Sequence, residues 1–466
     1  MIDWDLKLII LCYLLFFLFV YTIADWNKRK YVFILFLIGL FSESGFNYHL
    51  QVSDSVIPTS FSEAVYFLLL LIMGLAWVWQ RKAISLIGLE RPIRVYLLFA
   101  LVGVFTAIYF DVNFVNIIIE VKSYVVYIFY LYLIPFLLNK KEDVTRSLWA
   151  LIILSLVPLL YVLPNLHGLS ALEHERVQFT QYWGPLNVFV GYISPVTFIA
   201  IALYLTTTRL ILKASLLVFI IFSLYVLFYS ETRGAWGSVF ISFLLFTFLS
   251  KKKIHLGVAL VMLAALIFYT GSIEKMKSII EHRIGEETIE SMDSSLKNRI
   301  DRWDSAQNIF KAHPLTGNGW GGNLMMLKDG KVSEVSSRYL PAWHNSFLEI
   351  LSQLGIFGAL AFFWIWYRIF KLSYTAWRES NDSKDRLILA GLISAVLFMF
   401  LYSFGEQQFY RIETASVSWF IIGLLMFYAK SVRSPVLRPP SVVRLRQLWR
   451  RRTGGSRVAG PGRSQI

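Results

Sequence analysis

A histidine set just before an apolar helix, with arginines spaced along the chain ahead of it, is a combination able to move a proton and hold an anion. His344 precedes the apolar run from Ser346 to Phe370. Ser346 followed three positions later by Glu349 reads as a capping box, which predicts a helix starting at about Ser346 and leaves His344 just outside it, at a water interface. The partial positive charge of a helix N-terminus disfavours a second positive charge nearby. The imidazole is therefore held neutral and able to accept a proton. That makes His344 a candidate general base, with Asn345 in support. A histidine that only anchors the helix start is the competing reading.

Charges at a membrane interface are costly, so each is a functional candidate. Arg233 lies in Ser230-Glu231-Thr232-Arg233-Gly234-Ala235-Trp236-Gly237, and Arg299 in Asn298-Arg299-Ile300-Asp301-Arg302-Trp303. A guanidinium is a fixed fork that matches phosphate oxygens bidentately. If the two arginines bind an anion, they do so by local geometry, because the segment between Ser272 and His344 balances its acidic and basic residues and has no overall field. The alternatives are a snorkelling anchor beside Trp236 for Arg233 and an ion pair with Asp293 or Asp304 for Arg299.

The elements that must position these residues are membrane helices. The chain has 466 residues, 56% hydrophobic, 17% aromatic and only 16% charged, with mean hydropathy +0.58. Such a composition excludes an ordinary soluble globule and fits a polytopic, all-α helix bundle. Spans are expected near 6–25, 31–48, 61–80, 93–110, 123–138, 147–165, 186–206, 210–229, 235–250, 254–271, 346–370, 387–404 and 415–430, about 12 or 13 in all. The first is read as a retained span and not a cleaved signal. Lys and Arg concentrate in alternate loops, those at Lys28-Arg29-Lys30, Arg81 to Arg94, Lys140/Lys141/Arg146, Arg209/Lys213, Lys251-Lys252-Lys253 and Lys371 to Arg386, and in the tail from Lys430. The positive-inside rule makes these cytoplasmic and places His344, Arg233 and Arg176 on the opposite face. The single cysteine, Cys12, cannot form an intrachain disulfide.

Four parts follow: N-terminal transmembrane helices over 1–271, a periplasmic helical loop over 272–345, C-terminal transmembrane helices over 346–433, and a basic, disordered cytoplasmic tail over 434–466 drawn to anionic lipid. Within the loop, Lys275 to Met292 and Ser295 to His313 pattern as helices, the second with an apolar stripe of Ile300, Trp303 and Phe310. The stretch Thr316-Gly317-Asn318-Gly319-Trp320-Gly321-Gly322-Asn323 is too glycine-rich for regular structure. It reads either as backbone able to approach a ligand closely or as a plain turn.

The pattern His344-Asn345, then Gly355 and Gly358, resembles the signature of the O-antigen ligase family, the WaaL-type enzymes with the related Wzy-type polysaccharide polymerases. The Thr-Arg-Gly-x-Trp element at Arg233 and the Arg-x-x-x-Trp element of Arg299 and Trp303, leading into Pro314-Leu315-Thr316-Gly317-Asn318-Gly319, occur in the order seen in that family. The resemblance covers roughly 180 to 430. It implies that Arg233 and Arg299, with Arg176 as a third candidate, bind the diphosphate of an undecaprenyl-linked glycan, and that His344 activates the acceptor hydroxyl. Glu406, in Gly405-Glu406-Gln407-Gln408, is expected to orient His344 or to contact a sugar. The family is regarded as metal-independent, and the chain offers little against that: its one Asp-x-Asp, Asp3-Trp4-Asp5, precedes the first span, and no His/Cys ligand cluster is present.

These observations predict an inner-membrane glycosyltransferase facing the periplasm, without metal or cofactor. It would transfer a glycan from undecaprenyl diphosphate with inversion, in membrane lipid and with no nucleic-acid partner. The acceptor is lipid A-core for an O-antigen ligase of lipopolysaccharide biosynthesis, or a second lipid-linked glycan for a polymerase. A lipid-linked oligosaccharide flippase is the rival from another class, but it should carry charges near the membrane midplane on several helices. Here the polar groups gather on one face.

Overall fold

Apolar runs of bilayer length become helices because nothing but an internal ladder can satisfy backbone groups in hydrocarbon. The computed structural model describes residues 47–52, 55–80, 88–165, 186–230, 232–250, 294–322, 343–409 and 412–433. It opens with an antiparallel hairpin of β1 (Asn47–Val52) and β2 (Ser55–Ser60), with Asn47 opposite Ser60. Helices follow: α1 (Phe61–Gln80), α2 (Glu90–Tyr109), α3 (Phe114–Tyr124), a 3-10 turn at Val126–Phe129, α4 (Tyr130–Leu137), α5 (Lys141–Asn165), α6 (Leu186–Thr206), α7 (Leu210–Tyr229) and α8 (Arg233–Ser250). After them come α9 (Ser294–Ala312), α10 (Ser346–Glu379), α11 (Ser383–Tyr402) and α12 (Ile412–Arg433).

Among the described residues, nine helical segments are long and apolar enough to cross a membrane: α2, α3 with α4, α5, α6, α7, α8, α10, α11 and α12. They correspond to the expected spans, and α1 coincides with the one expected at 61–80. The spans expected at 6–25 and 254–271, the helix at Lys275 to Met292 and the tail after Arg433 lie outside the described residues, as does the span at 31–48 except Asn47 and Tyr48, which open β1. The second of the nine segments starts nine residues earlier than expected, at Phe114 rather than at 123, capped by the Asn113 side chain accepting from the Val115 N–H at 2.9 Å.

Helices that are apolar all round bury all round. In α6, 83% of the span is buried inside the protein, against 28% in α7, so α6 lies at the centre beside α11 and α12 while α7 forms the rim. Apolar side chains such as Phe105, Val157 and Ile211 face outward. The two ends of the bundle differ chemically. One carries Lys141, Arg209, Lys213, Lys384, Arg386, Lys430 and Arg433, some of them in ion pairs, Lys141 with Asp385 at 3.0 Å and Arg433 with Glu379 at 2.9 Å. The other end gathers the start of α6, α8, α10 and α12 with α9 and the α11–α12 connection. It holds the candidate chemistry.

Helix α10 is not continuous. At Gly355 the backbone turns to φ 64°, ψ −169°, and the glycine-rich stretch after α9 enters the gap. Asn318 N and Gly319 N donate to the carbonyls of Ser352 and Gln353, both at 3.0 Å, and Ile356 N donates to Pro314 O at 2.9 Å. The freed backbone groups of the break are thus satisfied by protein. Trp320 anchors the insert by donating from Nε1 to Ala100 O of α2 at 2.8 Å and lies fully buried. A side chain at Gly355 would strike the Leu315 carbonyl, and one at Gly319 the backbone of Ala107. The glycine-rich stretch is therefore neither a ligand cradle nor a loose turn. Its N–H groups from Gly317 to Gly322 are spent within the protein, those of Asn318, Gly319 and Gly321 on the helix it plugs and that of Trp320 on Gly103 O of α2.

Candidate active site

His344 sits in the left-handed region at φ 52°, uncommon for a residue with a side chain and a form of local strain that clusters at functional sites. The element that follows explains how it is held. Asn345 is the N-cap of α10, its Oδ1 accepting from Phe347 N and Leu348 N, both at 3.0 Å. The expected capping box is corrected here, because Ser346 and Glu349 do other things. Ser346 ties the helix start to the α11–α12 connection, its N–H donating to Ser403 O at 3.0 Å and its Oγ to Glu406 O at 3.4 Å. Glu349 points inward. Its Oε2 accepts from Tyr124 Oη and from Gln407 Nε2, both at 2.8 Å.

The candidate cluster is built on Glu406. Its Oε2 lies 3.2 Å from His344 Nδ1 and its Oε1 lies 2.7 Å from Arg299 Nη2. Arg299 also donates from Nη1 to Gly405 O at 2.9 Å, so one edge of the guanidinium grips the connection that carries Glu406. Burial raises the pKa of the Glu406 carboxyl. The hydrogen bond and charge of His344, the charge of Arg299 and a hydrogen bond from Asn187 outweigh burial and hold it below its ordinary value. An ionised carboxylate has only lone pairs to offer. The proton between them therefore sits on Nδ1 of His344, so that in the neutral ring Nε2 carries the lone pair a base needs.

Helix α9 delivers Arg299. Its contact with α10 is a small apolar cluster of Ala306, Ile309 and Trp343 with Leu348 against it, and Trp303 Nε1 donates to Trp343 O at 3.0 Å. The expected stripe of Ile300, Trp303 and Phe310 is thus shifted. Ala306 and Ile309 are its buried members, while Trp303 and Phe310 are half-buried and the Ile300 side chain lies outside the described residues. Arg299 pairs with Glu406 and not with Asp304. Among the described residues, two of its five N–H groups are used in these bonds, and the others can serve another anion.

Arg233 is the first residue of α8 and is exposed. A cation at a helix N-terminus opposes the dipole, and here the cost falls on Arg233 rather than on Arg299, which lies further into its own helix. Gly234 faces Tyr402, whose hydroxyl donates to Asn187 O at 2.9 Å and whose carbonyl receives the Glu406 N–H at 2.9 Å. The structure thus brings His344, Glu406, Arg299 and Arg233 to one end of the bundle. Arg176, Asp3 and Asp5 lie outside the described residues. Among the described residues no group of three or more His, Cys, Asp or Glu is placed to hold a metal.

Sequence reading missed Asn187, Tyr402, Gln407 and the buried acids. Glu120 and Glu349 are each 3% exposed, one inside α3 and the other in the first turn of α10. An acid within an apolar helix was the signal that marked them.

Comparison with known proteins bears out the resemblance drawn from the motifs. Residues 195–363 match the family model Wzy_C, O-antigen ligase, a range that includes Arg233, Arg299, His344, Gly355 and Gly358 and stops short of Glu406. The chain is also similar to the teichuronic acid biosynthesis protein TuaE of Bacillus subtilis (strain 168), 21% identical over 340 residues that cover 68% of this chain and 67% of the relative.

Proposed function

We propose that this multi-pass membrane protein, whose central segment matches the O-antigen ligase family, transfers a glycan from a polyprenyl diphosphate to a sugar hydroxyl on the periplasmic face of a bacterial inner membrane. The observation that carries the reading is the His344–Glu406–Arg299 constellation at the end of the bundle opposite Lys141, Lys213, Lys384 and Lys430. Nε2 of His344 takes the proton of the acceptor hydroxyl. The oxygen then attacks the anomeric carbon from the side opposite the diphosphate, the bond from that carbon to the diphosphate oxygen breaks, and the configuration inverts. Arg233 and the free edge of Arg299, with Arg176 as a further candidate, take up the charge that develops on the leaving diphosphate. Glu406 touches neither substrate. It holds the imidazole in the tautomer that leaves Nε2 basic and steadies the imidazolium once it forms.

The acceptor divides two forms of the reaction. An O-antigen ligase would use lipid A-core, and a polymerase another lipid-linked glycan. The similar Bacillus protein is named for teichuronic acid biosynthesis, which favours the polymerase form as a second reading. Transfer by purified protein from an undecaprenyl-diphosphate-linked glycan tests both: product on lipid A-core alone supports the ligase, product on a second lipid-linked glycan alone supports the polymerase, and product on neither overturns the glycosyltransferase. The same assay in excess EDTA should keep its rate, since guanidinium groups serve where a metal otherwise would.

A further inference from the structure

The first turn of α10 holds a second acid that the proposed reaction does not use. Glu349 is buried, and its Oε2 accepts twice, from Tyr124 Oη of α3 and from Gln407 Nε2 of the α11–α12 connection, both at 2.8 Å. A carboxyl enclosed among apolar helices is costly and is a functional candidate by default. Its partner points to the function. Gln407 follows Glu406 in the chain, so the start of α10 reaches the connection from two sides. At the half-open side His344 Nδ1 meets Glu406 Oε2 at 3.2 Å, and at the buried side Glu349 holds Gln407. The rest of the connection is tied through its backbone: Gly405 O accepts from Arg299 Nη1 at 2.9 Å, Glu406 N donates to Tyr402 O at 2.9 Å, and Ser403 O accepts from Ser346 N at 3.0 Å. Gln408 turns to other helices, its Nε2 donating to Gly191 O and Ser418 Oγ, both at 3.0 Å.

We propose that Glu349 is a positioning residue for the transfer: by holding Gln407 it fixes the adjacent Glu406 against His344, and so keeps the imidazole in the tautomer that leaves Nε2 basic. The assignment rests on the proposed role of His344 as the base. Glu349 touches neither His344 nor Glu406 and acts through the chain that joins Gln407 to Glu406. An orienting group is effective only when its own placement is over-determined by the groups around it. Tyr124 supplies that for Glu349, since it reaches the same oxygen from α3 and stacks on the fully buried Trp320, with ring centroids 5.9 Å apart. The task needs an oxygen able to accept two hydrogen bonds, which an amide carbonyl also offers. Glutamine should therefore replace Glu349, and alanine should not.

The test uses the full chain in nanodiscs with isotope-labelled histidine, whose ring-nitrogen NMR shifts report the tautomer; the His344 signals are those lost in His344→Ala. In the parent the neutral ring should carry its proton on Nδ1. Glu349→Ala should give mixed tautomers, and so should Gln407→Leu, which breaks the same bond from the connection and keeps the measurement decisive if Glu349→Ala does not fold. Glu349→Gln should match the parent. Glu120→Ala, at an equally buried acid of α3, should match it as well, because among the described residues Glu120 makes no hydrogen bond to the connection. In the transfer assay with an undecaprenyl-diphosphate-linked glycan, Glu349→Ala and Gln407→Leu should each lower kcat by roughly 10- to 100-fold, as for the outer partners of metal-site histidines, with KM for the donor little changed. The double variant should lose no more than either single one, the mark of two residues acting through one bond. A parent-like tautomer in Gln407→Leu, the same mixing in Glu120→Ala, or additive losses in the double variant would overturn the assignment. If the tautomers shift as expected but no polyprenyl-linked glycan is transferred, the positioning stands and the proposed reaction fails.

Discussion

His344 and Glu406 meet at 3.2 Å between Nδ1 and Oε2, one from the mouth of α10 and the other from the α11–α12 connection. The second oxygen of Glu406 engages Arg299 at 2.7 Å. A single carboxylate therefore fixes the His344 ring and the Arg299 guanidinium together, the base and the leaving-group cation of the proposed reaction.

Removing the carboxylate should cost both. Because its folded-state pKa is lowered, Glu406 contributes stability that is present above the ordinary carboxylate value of about 4.3 and is lost as pH falls through the lower folded value. Glu406→Gln should therefore melt below the parent protein at neutral pH, with the gap closing in acid below about pH 4. Thermal melting in detergent across pH measures this. A gap that persists unchanged at low pH would contradict the ionised bridge.

His344→Ala should lower turnover by roughly 100- to 10,000-fold, the usual contribution of a general base, with donor affinity nearly intact and the acid limb of the rate profile removed. Near-normal transfer by monodisperse variant would reduce His344 to an anchor.

The two arginines should separate under conservative change. Arg233→Lys keeps a charge at an exposed position and should weaken donor binding without a change in melting. Arg299→Lys loses the fork that spans Glu406 and Gly405 and should lower donor binding and melting temperature together. Indistinguishable behaviour of the two would show that Arg299 is not the brace of the connection.

Gly355→Ala meets two obstacles, a left-handed backbone and the Leu315 carbonyl. An alanine stabilises a glycine site whose backbone it can adopt, by up to about 1 kcal/mol; here it should instead destabilise, by more than that amount, read as a lowered melting temperature. Gly74→Ala, where an added Cβ meets nothing within 4 Å, is the control and should be near neutral.

Orientation can be read with an impermeant thiol reagent on intact spheroplasts in a Cys12→Ser background. Asp304→Cys on α9 should label from outside, and Asn381→Cys, between α10 and α11, should not. The reverse pattern would move the site to the cytoplasm.

The spans were legible because length and hydropathy alone decide what crosses a bilayer, and most boundaries fall within a few residues of those expected. The cap of α10 was not. Ser346 and Glu349 have the spacing of a capping box, but Asn345 was one residue earlier and equally able to cap, and burial turned Glu349 towards Tyr124 instead. The break at Gly355 was equally hidden. Nothing local demands it, since the stretch that fills it is distant in the chain. Arg233, Arg299 and His344 stood out as charges or near-neutral bases beside apolar runs. Glu406 did as well, with His344 as an expected partner, and only its pairing with Arg299 needed α9 to lie across α10. Asn187 and Tyr402 are polar residues of ordinary appearance, and only the packing of α6 against α11 gives them a task.

The interruption at Gly355 also divides α10 mechanically. A continuous helix transmits tilt along its whole length, and the helices of a bilayer tilt to match its thickness. In this helix the upper piece, from Ser346 to Leu354, is hydrogen-bonded through Ser352 and Gln353 to the insert that follows α9, while the longer lower piece from Ile356 to Glu379 faces lipid at Phe357, Leu360 and Trp364. The proposed base and its arginine ride on one platform with the insert, set off by the break from the piece that faces lipid.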